Sequence, residues 1–176
     1  MTGRAGPRAF LRGAARIALL LAGGIALPAG AEPGAGSFCV TAAGGSVLAA
    51  LPLPEGAEIC LRWSHSVTGG AVADCFVARR GDLVLSRSYL HDFAAGLGEV
   101  HGRGRIGAAE GGGYWIEDLD EVMPAGGLVL RVGPASVGHR LHHGASGVLD
   151  LSAIAAGLSV RLSRAATGCR PAAATD

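Results

Sequence analysis

Residues 58–79 read EICLRWSHSVTGGAVADCFVAR, two runs on either side of Gly69-Gly70, the first of them alternating. In the first run a period of two places Ile59, Leu61, Trp63, His65 and Val67 on one face, four of the five apolar. Strict alternation of this kind is the signature of a strand with one face buried. Two strand-like runs joined by a glycine pair read as a β-hairpin. The stretch therefore predicts adjacent antiparallel strands over 58–67 and 71–79.

A two-residue turn at Gly69-Gly70 sets His65 directly opposite Asp74, with Cβ atoms about 5 Å apart. A carboxylate there would orient the imidazole and raise its pKa. The pair reads either as a buried latch that fixes hairpin register or as a polar site at the mouth of the fold. The same register puts Cys75 opposite Ser64, four residues along from Cys60. At about 3.3 Å per residue, that separation exceeds the roughly 7 Å Cα limit for a disulfide. Cys60 and Cys75 are thus expected not to be bonded to each other.

Further strands are expected over 38–42, 46–51, 83–91, 113–118, 128–132, 139–142, 148–151 and 158–163. Glycine- and proline-rich breaks separate them. Many short strands at this spacing predict an all-β fold, an antiparallel β-sandwich or partly open barrel. One helical turn is expected within 150–157, with Ser152 as cap and Gly157 as stop. The segment 96–113 holds eight glycines and reads as a loop, mobile or functional.

The chain has 176 residues, enough for one domain. Hydrophobic residues make up 49% and aromatics 5%, so the core must be built mostly from Val, Leu, Ile and Ala. Residues 1–31 read as a secretory leader: Arg4, Arg8, Arg12 and Arg16, an apolar run from Ile17 to Leu27, then small residues before a cut after Ala31. The apolar run is about half the roughly 20 residues a spanning helix needs. A single β domain, 32–176 with a frayed tail, is expected to remain, periplasmic or secreted, meeting a membrane only through an uncleaved leader. It keeps 11 arginines against 14 acidic residues, a net of −3, which does not indicate a nucleic-acid partner. Its four cysteines, Cys39, Cys60, Cys75 and Cys169, favour two disulfides in an oxidising compartment.

Several patterns invite chemistry. Gly102-x-Gly104-x-x-Gly107 matches a dinucleotide fingerprint, but the glycines that follow cannot sustain the helix on which that motif depends. The acids Glu117, Asp118, Asp120 and Glu121 lack the ligand order of a calcium loop and read as a solvated turn. His65, His91, His101, His139, His142 and His143 show no helical metal spacing, and a zinc site would have to assemble from distant strands. Ser64 or Ser66 with a histidine and Asp74 or Asp92 supplies the residue types of a hydrolase. Such a triad needs mutual hydrogen-bond reach, and Ser64 and Ser66 face away from His65 on an ideal strand. No cofactor is implied.

The blocks Leu61-Arg62-Trp63-Ser64-His65-Ser66-Val67, Phe93-Ala94-Ala95-Gly96-Leu97-Gly98, Gly113-Tyr114-Trp115-Ile116, Leu130-Arg131-Val132-Gly133, Gly138-His139-Arg140-Leu141 and Leu149-Asp150-Leu151-Ser152 together resemble the domain of unknown function 1850 family of small exported bacterial proteins. The resemblance runs from about Phe38 to Ser163. It implies a mostly β fold, no established activity and an accessory role beside tripartite ATP-independent periplasmic (TRAP) transporters of the TAXI type, whose membrane or solute-binding subunit would be the partner. Asp74 matches an acid of the family pattern, and Thr68 stands where relatives carry glutamate. The expected binding spot is His65, Ser66 and Asp74, with Gly96, Leu97 and Gly98 nearby. The rival expectation is a hydrolase or metal-dependent enzyme using the Ser/His/Asp set or the histidines.

Overall fold

The computed structural model describes residues 36–92 and 102–171. The leader, His101 and the Gly96-Leu97-Gly98 block lie outside the described residues. In chain order the strands are β1 (Ser37–Ala42), β2 (Val47–Pro52), β3 (Glu58–Ser64), β4 (Ala71–Arg79), β5 (Asp82–Leu90), β6 (Arg105–Ala108), β7 (Tyr114–Glu117), β8 (Glu121–Val122), β9 (Leu128–Arg131), β10 (Arg140–His143), β11 (Gly147–Asp150) and β12 (Ser159–Ala165). One short helix, α1 (Leu151–Ala155), precedes the last strand. Among the described residues no helix is long and apolar enough to cross a membrane.

The strands form two antiparallel sheets, as a β-sandwich requires. The smaller runs β2-β1-β12-β9, and the larger β11-β10-β3-β4-β5-β7-β6, with β8 added on β5. The alternation seen in the sequence is what closes them together. Phe38, Val40 and Leu162 from the small sheet meet Ile59, Leu61, Phe76 and Leu141 from the large one in a single buried cluster. Period-two patterning turns the alternate residues of each strand outward, among them Arg62, Ala73, Tyr89 and Trp115 on the large sheet.

The β3–β4 hairpin corrects the sequence reading. Leu61, not His65, faces Asp74, and Cys60 faces Cys75. The ladder has slid by four residues from a two-glycine turn. His65 and Gly70 close the loop instead: His65 N–H donates to the Gly70 carbonyl at 2.8 Å, and Gly69 N–H to the His65 carbonyl at 2.8 Å. The His65 ring stabilises this wider turn, its Nδ1 accepting from the amides of Val67 and Thr68 at 3.4 and 3.3 Å. Two otherwise unpaired amides are thereby satisfied, as a side-chain cap does in an Asx turn. Val67 is 86% exposed in the turn and is not part of the apolar face.

Because of that slide, Cys60 and Cys75 are bonded to each other, with Cα atoms 4.0 Å apart. The expectation that they are not is overturned, since it rested entirely on the tighter turn. The second disulfide joins Cys39 on β1 to Cys169 beyond β12, Cα atoms 5.5 Å apart.

Three further differences have local causes. Arg105–Ala108, inside the expected loop, pairs with β7 as an edge strand, so the rejected dinucleotide fingerprint runs into a strand and not a helix. The helix is capped by Asp150, whose side chain accepts from Ala153 N–H at 2.9 Å, and Ser152 is buried inside it. The acidic run is more than a solvated turn: Arg105 pairs with Glu117 and Asp118, Arg79 with Asp120, and Arg103 with Glu121.

Candidate functional site

The sequence-predicted site residues separate. His65 and Ser66, displaced past the end of β3, line a cleft of about 730 Å³ together with Trp63, Arg131, Val137 and His139. Trp63 belongs to the large sheet and Arg131 to the small one, so the cleft lies where strands of both layers end. Its volume is within the roughly 300–1,000 Å³ of small-molecule sites.

His139, which the sequence offered only as one of six candidate metal ligands, also lines this cleft. It is 6% exposed, and its Nδ1 accepts from Gly133 N–H at 3.0 Å. The His139 main-chain N–H donates to Ser152 Oγ at 2.9 Å, and that hydroxyl donates to the Gly133 carbonyl at 2.9 Å. This closed ring of bonds holds the 133–139 loop against the start of α1. Burial pushes the His139 imidazole below its ordinary range, which favours the neutral ring that the Gly133 amide requires. Trp63 and His139 lie face to tilted face, centroids 5.8 Å apart. The available signal was the Leu141 alternation, which places His139 inward, read alongside the loop glycines.

In both His65 and His139 a main-chain amide occupies Nδ1. The neutral tautomer of each therefore carries its proton on Nε2. The cleft is lined by both of these histidines together with Arg131 and Trp63. These are groups for recognising an anion or a carbonyl oxygen.

Asp74 is elsewhere. It faces inward from β4 opposite Leu61 and accepts from Ser88 Oγ at 2.6 Å. It shares a small cavity of about 90 Å³ with Ser88, Leu119 and Arg103. Burial raises its carboxyl above the ordinary 3.8, against the Ser88 bond and the Arg103 charge, which lower it. The folded chain thus holds this proton more tightly than the unfolded chain. Asp74 contributes its full stability below the ordinary value and loses it as pH rises through the raised one. Asp74→Asn, which keeps an acceptor for Ser88, is expected to raise Tm at pH 7 and to match the parent near pH 3. Calorimetry at the two pH values checks this, and a lower Tm for the variant at pH 7 would count against it.

No serine–histidine–aspartate chain of hydrogen bonds forms among the described residues, since Asp74 bonds Ser88 while His65 and His139 bond main-chain amides. The one cluster of metal-ligating atoms among the described residues is Glu58, Cys60 and Cys75. Both its sulfurs are in the disulfide, so neither is a thiolate ligand.

Two antiparallel sheets packed face to face, stapled by two disulfides and notched by a cleft, define a small β-sandwich protein. The chain belongs to the family described as Domain of unknown function (DUF1850), whose model matches residues 59–148. No curated protein and no solved structure matches it. The matched span begins on β3 and ends on β11, so it covers the hairpin, His65 and His139.

Proposed function

We propose that this protein is an exported, non-catalytic binding module that serves a TAXI-type TRAP solute transporter, with the end cleft as its contact site. The observation that carries the binding part is the pairing of His65 and His139. Both rings are fixed by main-chain amides through Nδ1, and both line one cleft with Trp63 and Arg131. Rings held in this way serve as oriented donors, whereas a general base needs an accepting nitrogen free to meet the substrate. Export is supported by the leader pattern of residues 1–31 and by two disulfides, which persist in oxidising compartments. The transporter link is supported by the family resemblance.

The test is native co-purification of the full-length chain with the membrane and solute-binding subunits of a TAXI-type transporter from the same cell. One subunit is expected to be retained, and Arg131→Glu with Trp63→Ala is expected to reduce its recovery at least about tenfold. Failure to retain either subunit, or retention unchanged in the double variant, contradicts the proposal.

A further inference from the structure

The outer face of the large sheet carries a second groove, which shares only Trp63 with the end cleft. Register pairs place one row of residues side by side across six strands: Asp150, Arg140, Arg62, Ala73, Tyr89 and Trp115. Paired residues of an antiparallel ladder share a face, so this row is a continuous strip. Apart from Asp150, all of these residues line an open groove of about 450 Å³.

The row contains a local conflict. Arg62 and Arg140 stand directly opposite one another, and like charges in that position destabilise a sheet. Asp150 relieves only one of them, through the Arg140 Nε at 3.1 Å. Arg62 has no carboxylate in ion-pair range among the described residues. The strip thus presents a surplus of positive charge where an anionic group would lie between two guanidinium forks.

Next to the arginines the strip is low and then aromatic. Ala73 forms a shallow floor between Arg62 and Tyr89. Tyr89 and Trp115 follow, their ring centroids 5.3 Å apart and tilted. Arg87 sits 4.6 Å over the Trp115 ring and is held there by Glu58 at 2.7 Å, so the indole is braced before any ligand arrives. Arg62 and Tyr89 are two strands apart, about 10 Å at the usual spacing. Glu110 also lines the groove and disfavours a second negative charge on the ligand.

We infer that this groove binds an aromatic monocarboxylate, its carboxylate on Arg62 and Arg140 and its ring against Tyr89 and Trp115. The test uses 3-phenylpropionate, with 3-phenylpropanol as the uncharged control, titrated calorimetrically into the full chain at low salt. The acid is expected to bind at least about tenfold more tightly than the alcohol. Arg62→Gln is expected to remove that preference while leaving the alcohol unchanged, and Trp115→Leu to weaken both about tenfold. Both changes lie on the outer face, and circular dichroism verifies that the variants fold. Arg131→Glu, in the end cleft, is expected to leave acid binding intact, so failure of the end-cleft proposal is read separately. No binding at millimolar acid, equal affinity for acid and alcohol, or acid binding indifferent to Arg62→Gln and Trp115→Leu overturns the inference.

Discussion

Replacing Cys39 and Cys169 together by alanine is expected to cost about 5 kcal/mol, against about 3 kcal/mol for replacing Cys60 and Cys75, on the chain-entropy account of disulfides. The difference follows from the loops they close, with sequence separations of 130 and 15 residues. In a domain of this size about 5 kcal/mol corresponds to a fall of roughly 10–20 °C in Tm. The long-range bond ties β1, at one end of the described chain, to the segment beyond β12, its sheet neighbour. Without it the unfolded chain regains nearly all its freedom, while the native β1–β12 ladder is unaltered. Thermal unfolding of the two double variants checks the order. A short-loop variant destabilised as much as the long-loop one would show that the local β3–β4 ladder depends on its bond for more than loop closure.

Phe76→Ala is expected to lose about 3–5 kcal/mol, the usual cost of emptying a buried aromatic site. Phe76 is 1% exposed on β4, lies opposite Ile59, and sits in the cluster shared by the two sheets. Val67→Ala is expected to change stability by no more than about 0.5 kcal/mol, as at other exposed positions. The pair of variants separates two versions of the hairpin. The alternating pattern alone puts Val67 on the buried face, whereas the wider turn leaves it 86% exposed. Urea unfolding of both variants distinguishes them, and a loss of more than about 1 kcal/mol from Val67→Ala would favour the tighter turn.

The hairpin also explains what was and was not legible in the sequence. Side chains alternate with period two, so a slide by an even number of residues leaves every face unchanged. Ile59, Leu61 and Trp63 are therefore on the expected side although the register is four residues from that read at Gly69-Gly70. The strands and sheet faces depend on local alternation, and nearly all were visible. Register depends on the turn, and the turn depends on a bond that local pattern does not encode, the acceptance of two amides by His65 Nδ1. The Cys60–Cys75 bond was misjudged for the same reason.

The candidate site was legible in part. His65 and Ser66 were singled out together, and they line one cleft. Asp74 was set opposite His65 by the wrong register, and the structure gives it to Ser88 instead. His139 was weighed only as a possible metal ligand, because its partners, Gly133 and Ser152, are six and thirteen residues away on other elements. The edge strand β6 was hidden by glycines, Gly107 within it and Gly104 just before it, since glycine weakens any strand pattern. Its pairing with β7 supplies what local propensity lacks.

The hairpin register sets where His65, Ser66, Asp74 and the outer row of arginines and aromatics stand, and one measurement reads it directly. Peptide mapping of the exported, oxidised protein under non-reducing conditions is expected to recover Cys60 linked to Cys75 and Cys39 linked to Cys169. Recovery of Cys60 joined to Cys39 or to Cys169 would contradict the account.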